Sequence, residues 1–194
     1  LFVDEAHSFG CFGDRGRGVA ERDGAMRDVD FYSGTFSKSL VSIGGFVASN
    51  HKELDYLRFS ARPYMFTASP SPANVAAARA ALKVIAAEPG LKNRLWDNAK
   101  RVHAAFTQLG LETCAPVSPV IAVKLPNQET AFAAWNFLIE NGVYVNLAIP
   151  PGTPNSTSIL RLSVSAAHTD ADLDIVIGAY TAMAQVFAGA TETA

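Results

Sequence analysis

Apolar residues in the first fifty positions occur in short runs that predict strands. Three such runs, at residues 1–3, 29–33 and 45–48, are rich in β-branched or aromatic side chains and are bounded by glycine and aspartate. This pattern is typical of buried strands, which are covered on both faces. We expect the three strands to belong to one sheet.

The middle of the chain predicts two helices. Ser71 followed by Pro72 combines a favoured N-cap residue with proline at the first helical position. Apolar residues then recur at helical spacing until Pro89, where we expect the helix to end. A second apolar stripe, at three- and four-residue steps, runs over residues 91–109 and stops at Gly110. We expect these two helices to bridge two lobes.

The last third of the chain alternates between strand and helix patterns, which predicts a small α+β lobe. Its expected elements are a strand at residues 120–125, a helix at 128–141, strands at 143–147 and 158–164, and a final helix capped by Thr169. The tail from Gly189 onward is small and polar, so we expect it to fray.

Composition and charge exclude several classes of protein. The 194 residues are 49% hydrophobic and 18% charged, and 16 basic against 18 acidic residues give a net charge of −2. That charge argues against a domain that binds by neutralising nucleic-acid phosphates. Charged residues or prolines interrupt every apolar run before the roughly 20 residues that a membrane helix needs. We expect a soluble protein with a sizeable core, no nucleic-acid partner and no transmembrane segment.

Two further features concern the compartment and the start of the chain. Cys11 and Cys114 lie far apart with no CxxC or Cys/His spacing, which fits a reducing cytoplasm better than a disulfide scaffold or a zinc site. Residue 1 is Leu and already lies in a predicted strand, and we find neither the basic region ahead of an apolar stretch nor the small-residue cleavage site of a signal peptide. We expect a cytoplasmic protein without a metal site, and a sequence that begins inside a longer chain.

The first group of candidate chemical residues follows a strand. Asp4, Glu5 and His7 come where the first predicted strand ends, in VDEAHS, and ligand-binding residues of open α/β sheets gather at the carboxyl ends of strands. The letters DEAH also match the acidic motif of helicase-type nucleotide hydrolases. That alternative needs a GxxxxGK[ST] phosphate loop and a basic surface, and the sequence has neither, so we disfavour it.

The second group surrounds one lysine. Lys38 lies in GTFSKS together with the hydroxyl residues Thr35 and Ser37, again just after a predicted strand. A lysine in such a turn is ordinarily a solvated surface cation. Combined with the strand-end carboxylate of Asp4, however, it completes the set of groups that pyridoxal phosphate chemistry requires. These are an amine for a Schiff base, hydroxyls for the phosphate and a carboxylate for the pyridinium nitrogen.

Three longer stretches carry a family resemblance: VDEAHSFGCFGDRGRG, GTFSKSLVSIGGFVAS and RPYMFTASPSP. They resemble the α-oxoamine synthases, which are fold-type I pyridoxal phosphate enzymes. The resemblance covers essentially all 194 residues and corresponds to the second half of a family member. It implies an α/β fold with the end of the large domain and its mainly parallel sheet at residues 1–70, bridging helices at 71–110, and a small α+β C-terminal domain at 111–194.

The resemblance implies roles for three residues around the cofactor ring. Lys38 would form a Schiff base with pyridoxal phosphate and would later take the Cα proton of the amino acid. Asp4 would pair with the pyridinium nitrogen and keep it protonated, and His7 would hydrogen-bond the phenolic oxygen of the ring.

The resemblance also implies how the cofactor phosphate is bound. Thr35 and Ser37 would contact it from the lysine loop, and Thr67, in FTAS, would reach the phosphate bound to the other subunit. This assignment implies a homodimer with a shared active site.

Arg161 is the residue that the resemblance assigns to the substrate. In SILRLSV, Leu160 and Leu162 face one side of the strand and Arg161 faces the other. The matching arginine of the family binds the amino-acid carboxylate, a bidentate task that suits a planar guanidinium. The serine-using bacterial members have a second arginine where this sequence has Ile149, which leaves open both the substrate pair and the mode of carboxylate binding.

The activity implied by the resemblance is condensation of an amino acid with an acyl-CoA, with loss of CO₂ and CoA, to an α-amino ketone. L-Serine and a long acyl chain are favoured, with a product such as 3-ketosphinganine. Two alternatives stay open: a sister enzyme that uses alanine or glycine, and a non-catalytic subunit. We would expect a non-catalytic subunit to lack the lysine at position 38.

Overall fold

The computed structural model describes residues 1–188, and the chain divides into two compact units, Leu1–Lys92 and Asn93–Ala194. Its helices and strands are, in order, β1 (Phe2–Asp4), α1 (Val19–Arg22), β2 (Phe31–Thr35), β3 (Gly45–Ala48), α2 (Leu54–Ser60), α3 (Arg62–Met65), α4 (Pro72–Ala87), α5 (Pro89–Gln108), β4 (Val120–Leu125), α6 (Gln128–Glu140), β5 (Asn146–Ala148), β6 (Ser158–Ser163) and α7 (Asp170–Ala188). The predicted α/β class is confirmed. The boundary between the units falls within α5, and the three-segment partition of the chain stays a prediction. The fraying predicted from Gly189 lies outside the described residues.

The first unit contains a three-stranded sheet in the order β1, β2, β3. Strand β1 is parallel to β2, with Asp4 opposite Ser33, and β3 is antiparallel to β2, with Gly45 opposite Thr35. The expectation that the three apolar runs share one sheet is therefore confirmed. Strand β1 begins and ends one residue later than predicted, so Asp4 is its last residue.

Helix α4 begins where the sequence predicts. The Ser71 hydroxyl accepts a hydrogen bond from the Asn74 N–H at 3.2 Å, and Pro72 occupies the first helical position. Pro89 does not merely end α4, because it is also the first residue of α5, a position where the missing proline N–H costs nothing. Helices α1, α2 and α3 were not predicted, since they have four to seven residues and no apolar stripe.

The second unit places an antiparallel sheet, in the order β4, β6, β5, against helices. Its core contains buried apolar residues of the sheet and of α5, α6 and α7, including Phe106, Val123, Leu138, Leu160 and Tyr180. Along β6, Leu160 and Leu162 are buried while Arg161 is exposed, which confirms the predicted alternation.

One predicted strand begins later than expected. The pattern predicts a strand at residues 143–147, but β5 covers Asn146–Ala148. The reason is that the Val143 N–H donates to the Leu138 carbonyl at 2.8 Å, so this residue completes the end of α6 before the chain turns into the sheet.

The start of α7 is fixed by a reciprocal pair of side chains. Asp172 accepts from the Thr169 N–H at 2.8 Å, and the Thr169 hydroxyl accepts from the Asp172 N–H at 3.2 Å. These bonds lower the pKa of the Asp172 carboxyl, chiefly through the backbone N–H of Thr169. The predicted cap at Thr169 is confirmed. None of the helices described within residues 1–188 is both long and apolar enough to cross a membrane.

Candidate active site

Two neighbouring parallel strands bring the candidate residues to one edge of the first sheet. Asp4 is the last residue of β1 and is paired in register with Ser33 of β2, and Thr35 ends β2 two residues further along. Because the strands run in the same direction, their carboxyl ends meet at the same edge. Lys38 follows Thr35 by three residues, so the loop that carries it starts at that edge.

The turn after β1 is held by local hydrogen bonds that backbone N–H groups donate. The Ala6 N–H donates to Asp4 Oδ1 at 2.8 Å, and the Ser8 and Phe9 N–H groups donate to the Glu5 carbonyl at 3.1 and 2.9 Å. His7 lies inside this turn with its side chain exposed. The turn therefore presents Asp4 and His7 from a compact, hydrogen-bonded segment.

The loop that carries Lys38 is closed on itself. The Phe36 N–H donates to the Gly44 carbonyl at 2.9 Å, and the Ser42 N–H donates to the Phe36 carbonyl at 2.7 Å. Leu40 is buried beneath the loop, whereas the Lys38 side chain is exposed. A second anchor ties the loop to α4, because the Ser42 hydroxyl donates to the Asn74 carbonyl at 2.8 Å.

The two hydroxyl residues of the loop form one polar group. Thr35 Oγ1 lies 2.8 Å from Ser37 Oγ and 3.2 Å from the Ser37 N–H. Two paired hydroxyls next to the exposed amine of Lys38 suit the phosphate of a small anionic cofactor better than they suit a metal ion. Within residues 1–188 we find no group of three or more His, Cys, Asp or Glu side chains arranged to hold a metal.

The residues at this edge fit pyridoxal phosphate by their chemistry. Asp4 offers a carboxylate, His7 an imidazole and Lys38 an exposed amine, while Thr35 and Ser37 offer hydroxyls. All five belong to the first unit and lie at the ends of β1 and β2 or in the loops that follow these two adjacent strands. The individual roles of these residues stay predictions.

Thr67 and Arg161 lie elsewhere in the chain. Thr67 belongs to the first unit, in the exposed segment after α3. Arg161 belongs to the second unit, on the exposed face of β6, where its cross-strand partners are Ala122 and Asn146. Ile149 is half-buried in the turn after β5, and its carbonyl accepts from the Gly152 N–H at 2.9 Å.

The sequence groups Glu5 with Asp4 and His7 but indicates no role for it. Glu5 is buried, with 1% of its surface exposed, and its carboxylate accepts hydrogen bonds from the Val19 N–H at 2.8 Å, the Ala20 N–H at 2.9 Å and the Ser8 hydroxyl. Strand alternation was the available signal, because it places Glu5 on the opposite side from Asp4.

Comparison with known proteins places the chain in a family. It matches the family described as aminotransferase class I and II over residues 1–179. A serine palmitoyltransferase of Caulobacter vibrioides is 52% identical over 180 residues, which cover 93% of this chain and 45% of the relative. An 8-amino-7-oxononanoate synthase of Anaeromyxobacter dehalogenans is 39% identical over 189 residues, which cover 97% of this chain and 47% of the relative.

Solved structures agree with this placement. A structure of serine palmitoyltransferase with its pyridoxal phosphate internal aldimine is 42% identical, with a TM-score of 0.92 over 95% of this chain and 47% of the other. The enzyme of Sphingomonas wittichii is 40% identical, with a TM-score of 0.92 and the same coverage. The chain thus spans a little under half the length of these relatives. It belongs to the aminotransferase class I and II family, with a fold-type I architecture, and within that family to the α-oxoamine synthases.

Proposed function

We propose that this chain supplies the lysine-bearing part of the active site of a pyridoxal phosphate enzyme that condenses L-serine with a long-chain acyl-CoA. CO₂ and CoA are released, and the product is an α-amino ketone such as 3-ketosphinganine. The observation that carries the proposal is the register of β1 and β2, which starts the Asp4 turn and the Lys38 loop at the same sheet edge. The 52% identity to a serine palmitoyltransferase favours serine as the amino acid.

Four residues hold the cofactor in this proposal. When bound, pyridoxal phosphate withdraws electrons from the Cα of the amino acid and so permits carbanion chemistry there. The Asp4 carboxylate would pair with the ring nitrogen and keep it protonated, because an adjacent negative charge favours the charged form of the ring. His7 would donate to the phenolic oxygen, and the hydroxyls of Thr35 and Ser37 would bind the phosphate.

Lys38 has two successive tasks. Its amine would hold the cofactor covalently at the aldehyde carbon until the amine of the amino acid replaces it. The free amine then takes the proton from the substrate Cα, as a general base. The exposure of the Lys38 side chain at the sheet edge supports both tasks, since the amine is accessible to cofactor and substrate.

Arg161 binds the substrate carboxylate in this proposal. Its guanidinium stands on the exposed face of β6, where two parallel hydrogen bonds to a carboxylate are available. At position 149 the side chain is isoleucine, which cannot bind a carboxylate. Arg161 is therefore the principal carboxylate ligand that this chain contributes.

A homodimer completes the proposal. Thr67 follows a stretch of exposed aromatic residues, among which Tyr56, Phe59, Tyr64 and Phe66 are 64–83% exposed. Apolar side chains concentrated in this way mark an interaction surface. A second copy covering this stretch would bring Thr67 to the cofactor phosphate of the other subunit.

We also propose a cytoplasmic location. The support is that Cys11 and Cys114 do not show the spacing of a disulfide scaffold.

A sister activity that uses alanine or glycine is the second candidate. It is favoured by the 39% identity to an 8-amino-7-oxononanoate synthase and by Ile149. A non-catalytic subunit fits less well, because Lys38 is present.

The test uses the protein expressed from its complete reading frame. Addition of pyridoxal phosphate should produce the visible absorbance of an imine, and borohydride reduction followed by peptide mass spectrometry should locate the cofactor on Lys38. Turnover is then compared with serine, alanine and glycine against acyl-CoA substrates of different chain length. Preference for serine with a long acyl chain supports the proposal, and preference for another amino acid supports the sister activity. Absence of the imine contradicts both.

A further inference from the structure

We infer that Glu5 is a positioning residue, whose buried carboxylate holds the turn carrying Asp4 and His7 in the place that the cofactor ring requires. The inference rests on the proposed function. Glu5 has no assigned contact with cofactor or substrate, and it acts through the two residues that flank it.

The carboxylate of Glu5 is enclosed by donors from two parts of the chain. Oε2 accepts from the Val19 N–H at 2.8 Å and from the Ser8 hydroxyl, and Oε1 accepts from the Ala20 N–H at 2.9 Å. A buried carboxylate without such donors is strongly unfavourable, so these three groups replace its water. Both oxygens are in use, and together they join the turn after β1 to the first residues of α1.

The backbone of Glu5 is fixed as well. Its N–H donates to the Ser33 carbonyl of β2 at 2.8 Å, and its carbonyl accepts from the Ser8 and Phe9 N–H groups. Asp4 precedes Glu5 by one residue, and His7 follows it by two. Asp4 and His7 therefore lie on a segment that Glu5 fixes by hydrogen bonds to β2 on one side and to Ser8 and Phe9 on the other.

Two neighbours show that the structure is built around this carboxylate. A Cβ at Gly18 would overlap the Glu5 carboxyl group, so only glycine leaves room for it there. Tyr32, on the adjacent strand, has a raised phenol pKa, first because of burial and second because of the negative charge of Glu5. The charge of Glu5 thus acts inside the unit, while the Asp4 carboxylate is exposed at the sheet edge.

Glu21, in α1 together with the donors Val19 and Ala20, provides a matched control. Within residues 1–188, its Oε2 atom alone accepts backbone hydrogen bonds, from the Arg15 and Arg17 N–H groups at 3.0 Å each. A glutamine side chain has one carbonyl oxygen, which can serve both of these donors. At position 5 the same replacement turns an amide NH₂ towards a backbone N–H, because both carboxylate oxygens are needed there.

The experiment compares Glu5→Gln and Glu21→Gln with the wild type, in the protein expressed from its complete reading frame. Hydrogen–deuterium exchange over residues 5–20 is measured in the cofactor-free protein. The dissociation constant for pyridoxal phosphate is measured by adding the cofactor to the cofactor-free protein. In the loaded protein we measure the pH titration of the bound cofactor's absorbance, kcat and KM.

We expect Glu5→Gln to exchange about tenfold faster and to bind the cofactor about tenfold more weakly, as the loss of one buried hydrogen bond implies. Its absorbance titration should shift, and Glu21→Gln should match the wild type.

A lower Tm for Glu5→Gln with unchanged cofactor affinity, titration and kcat/KM would mean that Glu5 is merely structural, and would overturn the inference. If Glu5→Gln does not fold, Ser8→Ala removes one donor and keeps the two backbone donors. It should then move the same readouts in the same direction by a smaller factor, and an unchanged Ser8→Ala protein would equally overturn the inference. A wild-type protein that takes up no pyridoxal phosphate would overturn the proposed function and this inference with it.

Discussion

Gly10, in the turn after β1, packs directly against Ser39, in the loop that carries Lys38. A Cβ at position 10 would stand 2.7 Å from the Ser39 Cβ, closer than carbon atoms approach in folded proteins. The φ angle of Gly10 is +83°, which disfavours any L side chain. The absence of a side chain at residue 10 therefore sets the separation of the two loops that form the candidate site.

Gly10→Ala should destabilise the protein and weaken cofactor binding. The control is Gly24→Ala, because Gly24 has a similar φ of +70° and nothing within 4 Å of a built Cβ. We expect Gly24→Ala to cost about 1 kcal/mol of unfolding free energy through backbone strain alone. Gly10→Ala should cost about 1–3 kcal/mol more through overpacking. Chemical denaturation of both variants measures the difference, and equal losses would show that the contact with Ser39 is unimportant.

Lys38→Ala should abolish covalent attachment of pyridoxal phosphate and all condensation activity while the protein still folds. Lys38 is exposed, so its removal leaves no cavity and should change the unfolding free energy by less than about 0.5 kcal/mol. Borohydride trapping and turnover are the measurements. Lys52→Ala, which removes another exposed lysine of the first unit, should behave as wild type. Turnover by Lys38→Ala supplied with the cofactor would disprove the assigned role.

Arg161→Ala should raise the KM for the amino acid and leave the KM for acyl-CoA nearly unchanged. A charge-assisted hydrogen-bonded pair is worth about 1.5–3 kcal/mol, which corresponds to roughly ten- to a hundredfold in binding. Arg161→Lys should rescue only part of the loss, because an ammonium cannot form the bidentate pair.

The control for Arg161 is Lys124→Ala. Lys124 lies on the neighbouring strand β4 and is paired with Glu112 at 2.9 Å, so its removal changes the surface charge without removing the proposed ligand. An unchanged KM in Arg161→Ala would show that the carboxylate is bound by other residues.

Tyr180→Phe should leave the protein as stable as wild type, or slightly more stable. The Tyr180 hydroxyl is buried and has no hydrogen-bond partner among residues 1–188, while its ring lies 4.1 Å from that of Phe106. Removing an unsatisfied hydroxyl relieves a desolvation penalty, whereas Tyr180→Ala would leave a cavity that costs about 3–5 kcal/mol. Thermal unfolding of the two variants distinguishes these effects.

The same residue gives a pH dependence. Burial raises the pKa of the Tyr180 phenol above its usual range, so the unfolded chain ionises first as the pH rises. Stability from this group is therefore complete below about pH 10 and is lost above it. Unfolding free energies measured from pH 8 to 11 should fall less steeply for Tyr180→Phe than for wild type, and parallel profiles would contradict this.

Local signals in the sequence predicted those elements that depend on nearby residues. Strand β3 has the predicted bounds, and the Ser71–Pro72 pair marks the start of α4. The alternation along β6 predicted that Arg161 is exposed, because period-two patterning depends only on the strand itself. The motifs also predicted that the Asp4 turn and the Lys38 loop each follow a strand. The structure shows that these two strands, β1 and β2, are neighbours in the sheet.

Features that depend on distant partners were not predictable. The two backbone donors to the Glu5 carboxylate lie 14 and 15 residues away, and no local pattern indicates that the chain returns to it. The contact between Gly10 and Ser39 likewise joins two motifs that are separate in the sequence. Packing of this kind requires the tertiary structure, because many turn sequences are compatible with the same motif.

The hydrogen bond from the Ser42 hydroxyl to the Asn74 carbonyl anchors the loop that carries Lys38 to the first turn of α4. The position of the Lys38 amine therefore depends in part on a backbone carbonyl 36 residues further along the chain. Substitutions that tilt this end of α4 would move the Lys38 amine, and so change its reactivity, without altering any residue of the candidate site.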